Sequence, residues 1–340
     1  MPHATSVQQA TFVLSHDIFC KTMTSSNVWL IGAGGMARDY LNVLRALHQP
    51  VIVVGRGKDS ARRFEADCGH QVIAGGLDAF LMSQPELPGA AIVAVGVESL
   101  ASTTLRLLRA GVSRVLVEKP GALHGGEIQN LQAEMKIRGA EVVIAYNRRM
   151  YAATLAARRM IEEDGGVQSF HFEFTEWGHV IEPLVKAPGV KEAWLLANST
   201  HVIDLAFHLG GEPEQLYALT AGGLAWHPNA AIFAGAGRTV SGALFSYQAN
   251  WGAPGRWGLE LLTSKRRLIF RPMESLQIMR HGCVKIESMA LDDDVDKSLK
   301  PGLHEQVRRF LSGESAGLCS LQEQIRHWPW YERIGGYAAR

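Results

Sequence analysis

The sequence predicts an α/β fold in two parts: a doubly wound parallel sheet first, then an α/β region with an open, mostly antiparallel sheet. Two observations predict it. Short runs that are apolar at every position alternate with helix-like segments from Val28 to Arg149, and beyond Arg149 the apolar period changes to two. A fully apolar strand must be buried on both faces, which calls for helices on each side of a parallel sheet. A period of two belongs to strands with only one face covered.

Residues 28–31 form an apolar run that ends in glycine, and Met36, Tyr40, Val43, Leu44 and Leu47 then recur at helical spacing. Further strands are expected at 51–54, 90–95, 115–117 and 142–145, with helices at 60–68, 100–110 and 127–138. Right-handed crossovers wind such a chain onto both faces of one sheet. A helix at 151–163 leads into the second part. There Phe170, Phe172 and Phe174 alternate along a strand at 170–177, and strands are also expected at 244–251, 257–262, 267–270 and 277–279. Gly255, Pro272 and Gly282 supply turns between them. A helix at 199–209 interrupts the strands. Helices at 303–311 and 321–334 close the chain and can pack back on the first sheet. The expected divisions are a tail at 1–26, a first domain at 27–149 and a second at 150–334. No internal repeat or low-complexity segment interrupts them.

A net charge of +1 over 340 residues provides no broad basic surface for nucleic acid. The longest near-continuous apolar stretch, 90–97, is too short to span a bilayer. Neither partner is therefore expected. Cys20, Cys68, Cys283 and Cys319 lie far apart with no CxxC pair, and the thirteen histidines include no HExxH, so no metal site is expected. Cysteines this sparse fit a reducing compartment such as the cytoplasm. Residues 1–26 lack the basic stretch and clean apolar core of a signal peptide. Phe12, Val13, Leu14, Ile18 and Phe19 suit either a short docking helix or a loosely held tail.

At the first strand–helix junction, Gly32-Ala33-Gly34-Gly35-Met36-Ala37 reads GxGxxA. Gly32 permits the tight turn, Gly34 lets backbone approach a pyrophosphate, and Ala37 allows close helix–strand packing. This is a Rossmann dinucleotide fingerprint, with the helix N-terminus offering free N–H groups to the phosphates. Gly32, Gly34, Gly35 and Met36 are its cofactor residues, joined by Gly96 and Val97 after the 90–95 strand. Where an acidic residue would hold the ribose of NAD, the second strand ends in Gly55, followed by Arg56, Lys58 and Ser60. Those groups suit a 2′-phosphate, so NADP(H) is expected over NAD(H). Stacking of Arg56 on adenine is the alternative.

Three further segments carry candidate chemistry. Glu118-Lys119-Pro120 ends a parallel strand, at the edge where open α/β sheets bind ligands. A lysine there can hold a nicotinamide ribose and a substrate hydroxyl, and burial lowers its pKa. Tyr146-Asn147-Arg148-Arg149 faces the same edge, unless the arginines are surface charges. Asn198-Ser199-Thr200-His201-Val202-Ile203-Asp204 places His201 and Asp204 one turn apart on a helix that Asn198 or Ser199 would cap. Trp177 and His179 either line the cleft or, for Trp177, belong to the sheet core.

Together these motifs resemble, in order and spacing, the glucose–fructose oxidoreductase / inositol dehydrogenase / rhizopine catabolism (Gfo/Idh/MocA) family, over about residues 27–334. The resemblance implies a Rossmann domain followed by an α/β domain whose open sheet forms homo-oligomers. It implies that Lys119 lies near the nicotinamide and that His201 is the acid–base histidine. Many sugar dehydrogenases of the family carry an Asp four residues before that histidine. This chain has Ala197, with Asn198 beside it, and lacks the glycine-rich run often found before that helix. The expected reaction is hydride transfer between a nicotinamide and a carbinol carbon of a sugar or nucleotide sugar. His201 is expected to take the proton, Lys119 to stabilise the alkoxide, and Tyr146, Arg148, Asn198 and Asp204 to contact substrate. The local sequences around 198–204 and 258–263 resemble bacterial members linked to surface-glycan sugars. A sensor that binds cofactor without turnover, or a reductase of a non-sugar carbonyl or imine, are the alternatives.

Overall fold

Strands that are apolar throughout pair with one another because only a sheet covered on both faces buries them completely. The computed structural model of the protein describes residues 27–337. Six strands form a parallel sheet: β1 (Val28–Ile31), β2 (Val51–Gly55), β3 (Val72–Ala74), β4 (Ala90–Val93), β5 (Arg114–Glu118) and β6 (Glu141–Ala145). Their order is β6-β5-β4-β1-β2-β3. Every residue of β1 and β4 is buried. Strand order reverses between those two, which opens a crevice at their C-terminal ends. This is the Rossmann arrangement that the fingerprint implies. The apolar pattern does not mark β3, because Val72 is its only buried residue. The helix Gly76–Met82 after it is likewise unmarked.

The second sheet holds β7 (Ser169–Glu173), β8 (Pro213–Ala221), β9 (Ile232–Thr239), β10 (Leu244–Asn250), β11 (Gly258–Leu262), β12 (Arg266–Phe270), β13 (Gln277–Arg280) and β14 (Ile286–Ser288). Its order is β14-β13-β12-β11-β7-β10-β9-β8. All neighbours are antiparallel except β7 and β10. The inner face carries Phe170, Phe172 and Phe245, against which Phe207 of the helix Thr200–Gly210 packs edge-on. Gly210 makes the close approach possible, since a Cβ there would lie 2.4 Å from the Phe170 ring.

β8 and β9 depart from the expected pattern for a physical reason. Gly235 and Gly237 of β9 stand opposite Tyr247 and Phe245 of β10. A Cβ on Gly235 would lie 2.4 Å from the Tyr247 hydroxyl, and one on Gly237 2.5 Å from the Phe245 ring. Two aromatic rings thus fill the space of two absent side chains, as in aromatic rescue of strand glycines. The inward positions of β9 therefore alternate in burial but carry no apolar period in the sequence. On the outer face Tyr217, Leu219, Ile232 and Leu244 are exposed.

The chain then returns to the first sheet. The helix Leu303–Ser312 buries Leu303, Val307 and Phe310 in one cluster with Tyr40, Leu41 and Leu44. β15 (Cys319–Ser320) adds antiparallel to β6, and the helix Leu321–Gly335 touches β6 and β8. Cys68, Cys283 and Cys319 are free thiols. No described helix is long and apolar enough to cross a membrane. Cys20 and the apolar residues 12–19 lie outside the described residues.

One buried ion pair joins three of these segments. Arg149, just after β6, is 2% exposed and donates from Nε and Nη2 to the two oxygens of Asp204 at 2.8 and 2.6 Å. Nη2 also donates to Glu323 Oε1 at 2.7 Å. Removing one partner of a buried pair strands the other charge and costs about 3–5 kcal/mol. Asp204→Asn is therefore expected to lower the urea midpoint by a matching amount, and an unchanged midpoint refutes this role.

Candidate active site

The crevice begins at the glycine turn. Gly32 has φ +131°, and a Cβ there would sit 2.3 Å from the Ala94 carbonyl oxygen, so only glycine fits. Gly34 and Gly35 differ, because a Cβ on either would meet nothing within 4 Å. The space above the helix Gly35–Ala46 is open, and no side chain caps its first amides. Those amides can receive a pyrophosphate, so the residues present fit a dinucleotide. Met36, Gly96, Val97, Glu118 and Lys119 line the adjoining cleft of about 740 Å³. At the end of β2, a Cβ on Gly55 would lie 2.9 Å from Val72 Cγ1 and 3.2 Å from Ala33 Cβ. An acidic side chain is crowded out there, and Arg56 follows it, exposed.

β5 delivers Glu118 and Lys119 to the cleft. Tyr40 donates to Glu118 Oε1 at 2.7 Å. Lys119 Nζ donates to the Ala197 carbonyl at 2.6 Å. Burial lowers the Lys119 pKa to about 8, opposed by the neighbouring Glu118. Ala197 lies in the π-helical turn Leu195–Ser199, which runs into the helix Thr200–Gly210. π-turns of this kind are frequent at functional sites. This differs from the expected helix start, and neither Asn198 nor Ser199 caps it by its side chain. Both instead donate to Glu176 Oε1 at 2.8 Å. Glu176 is buried at the end of the β7 segment, and burial raises its pKa against those two hydrogen bonds.

His201 faces the same cleft from the following helix, with Asn198 and Arg148 also on its lining. Its Nδ1 is buried without a partner among the described residues. Burial, then the Arg148 and Lys119 cations, push its pKa well below the usual imidazole value. The ring is therefore neutral at physiological pH.

Two expected substrate contacts are placed elsewhere. Asp204 does not line the cleft; its carboxylate is consumed by Arg149 on the buried side of the helix. Tyr146 stands behind His201 with ring centroids 6.0 Å apart, and its hydroxyl accepts from Gln324. Its position at the strand end turns it into the core, where it is 1% exposed. Trp177 and His179 line a separate groove with Trp226 and Trp251, and Trp177 is exposed. Neither arginine of the Asn-Arg-Arg segment is a plain surface charge. Arg149 is ion-paired, and Arg148 lies 4.8 Å from the Trp257 ring and 5.7 Å from that of Tyr151. Trp257, Trp194, Lys186, Glu274 and Lys300 also line the cleft. Trp194 directly precedes the π-turn, whereas Trp257, Lys186, Glu274 and Lys300 come from distant loops, and no local motif sets any of them apart.

Residues 26–146 match the model of an oxidoreductase family with an NAD-binding Rossmann fold, GFO_IDH_MocA. Residues 26–146 belong to the Gfo/Idh/MocA family. Solved structures extend the likeness over both sheets of the chain. Levoglucosan dehydrogenase in complex with NADH and levoglucosan aligns with a TM-score of 0.75 at 19% identity, covering 92% of this chain and 97% of that one. UDP-N-acetylglucosamine 3-dehydrogenase from Acidithiobacillus ferrooxidans aligns with a TM-score of 0.71 at 17% identity, with 92% and 97% covered. An oxidoreductase from Agrobacterium radiobacter in complex with NAD+, L-tartaric acid and magnesium aligns at 0.73 and 13% identity, with 93% and 97% covered. At such identities the likeness shows a shared fold. No curated protein matches the chain by sequence.

The open space at Gly34 yields a direct check on the cofactor turn. Gly34→Val adds bulk where no protein atom stands, so folding should be unaffected. The new side chain occupies the path of the pyrophosphate, and dinucleotide affinity should fall at least about tenfold. Unchanged affinity by fluorescence titration with NADH and NADPH refutes the placement.

Proposed function

We propose that the protein is an NAD(P)-dependent dehydrogenase acting on the carbinol or carbonyl carbon of a sugar or nucleotide sugar. The observation that carries this reading is the meeting of Lys119 and His201 in one cleft beside the glycine turn. The sugar class is supported by the two similar proteins whose names give a sugar or UDP-sugar substrate. A nucleotide-sugar substrate would also suit surface-glycan biosynthesis. The exposed apolar residues of the second sheet support a homo-oligomer formed through that face. The expected setting is the cytoplasm.

When bound, the nicotinamide accepts or gives the hydride; the protein holds the substrate carbon near it and manages the proton. On the pKa directions, the roles expected for the two residues exchange. A lysine with a pKa of about 8 gives and takes a proton near neutrality. An imidazolium at His201 would be buried near the Arg148 and Lys119 cations, which disfavours it. Lys119 Nζ is therefore assigned the proton of the substrate hydroxyl, and neutral His201 orients that hydroxyl by a hydrogen bond. Ala197 is central to this assignment. Where an Asp would hold the ammonium charged, the main chain offers only a neutral carbonyl. Asn198 and Arg148 line the substrate side of the cleft. The crowding at Gly55 and the exposed Arg56 support a preference for NADP(H).

Lys119→Ala should reduce turnover at least about 100-fold with the fold intact. Oxidation needs the neutral amine, so its kcat/KM should rise with pH through an apparent pKa near 8, and reduction should fall through the same value. Near-normal turnover in the variant, or a profile flat through that range, refutes the assignment. Arg56→Ala should weaken NADPH more than NADH in the same titration, and equal loss removes the preference.

A further inference from the structure

We propose that the substrate carries an anionic oxygen group and that Arg148 and Arg256, held around the Trp257 indole, receive it. This deepens the dehydrogenase reading and rests on it for the location of the reacting carbon. The Arg148 guanidinium carbon lies 4.8 Å from the Trp257 ring centroid, and that of Arg256 lies 4.9 Å from the same centroid. Arg256 also lies 4.8 Å from the Trp177 ring, and Arg148 lies 5.7 Å from that of Tyr151. Rings and cations therefore alternate: Trp177, Arg256, Trp257, Arg148, Tyr151. The loop is anchored where this series leaves the cleft, since Trp177 Nε1 donates to the Gly255 carbonyl at 2.9 Å.

Stacking satisfies the flat faces of a guanidinium and leaves the N–H groups along its edge available for a planar, two-oxygen acceptor. Among the described residues no carboxylate lies within salt-bridge distance of either guanidinium, and Arg148 Nε is buried with no hydrogen-bond partner. The carboxylates near Arg148 do not reach it. Glu176 is held by Asn198 and Ser199, and Glu274 is an exposed residue of the cleft wall. The neighbouring residue is a built-in comparison. Arg149 makes three hydrogen bonds to Asp204 and Glu323. The same chain thus pairs one arginine with two carboxylates and leaves the adjacent one open toward the cleft. A cation kept desolvated without a partner is costly, and ring stacking offsets only part of that cost. An anionic group on the ligand completes the site. Because Arg148 and Trp257 line the cleft with Lys119 and His201, that group belongs to the molecule being oxidised or reduced. A carboxylate on the sugar itself and the phosphoryl groups of an activated sugar share this chemistry.

Tryptophan fluorescence of the NADH-saturated protein, titrated at fixed ionic strength with glucose, glucuronate and UDP-glucose, tests the proposal. At least one anionic ligand should bind tenfold or more tightly than glucose. Arg148→Gln should abolish that advantage, and Arg148→Lys should keep part of it. Arg256→Gln, at an exposed position, should reduce it without disturbing the fold, and NADH affinity reports that each variant is intact. An advantage for glucuronate identifies a carboxylate, and one for UDP-glucose alone identifies phosphoryl groups. The proposal is overturned if neither anionic ligand outbinds glucose, or if the advantage survives in both glutamine variants. In a parallel assay the same sugars are supplied with NAD+ and NADP+, and formation of the reduced nicotinamide is followed. Turnover without anion preference defeats this inference alone, whereas anion-selective binding without turnover on any sugar upholds it and defeats the dehydrogenase reading.

Discussion

The site depends on one buried amine held by a neutral partner. Lys119 arrives on β5 of the first sheet and donates to a carbonyl of the second domain, in the π-turn ahead of the His201 helix. Burial without an adjacent hydrogen-bonded carboxylate is what lowers its pKa toward neutrality. A carboxylate at residue 197 would raise it again. The same contact ties the two sheets together across the cleft, so the chemistry and the closure of the site share one hydrogen bond.

The surrounding architecture keeps that contact in place from behind. Arg149, Asp204 and Glu323 lock the end of β6 to the His201 helix and to the last helix. Tyr146 and Gln324 fill the space behind the imidazole, and Gln324 also donates to the Pro120 carbonyl next to Lys119. Residues that a linear motif sets beside the substrate are thus divided by the helix into two sets. One faces the cleft, as His201 and Asn198 do. The other faces inward and sets the angle at which the first is presented. Charge follows the same division: the inward arginine is neutralised, whereas the cleft-facing arginine rests on aromatic rings.

Local patterns alone determined the alternation of apolar strands and helices from Val28 to Ala145, the glycine turn, and the positions of Lys119 and His201 at a sheet edge and on a helix. These are short-range properties, since burial on two faces and the need for φ > 0 are written residue by residue. Tertiary structure alone decided the rest. Asp204 sits one helical turn from His201, yet only the packing of that helix against the end of β6 determines that it meets Arg149. Strand β9 is a strand because rings on β10 fill its glycines, a compensation between residues far apart in the chain. Trp257 and Lys186 join the cleft through loops whose local sequence carries no periodic signal. A sequence specifies which side chains can do chemistry and roughly which edge they reach; which of them face the same few ångströms of solvent is set by long-range packing, which no local period records.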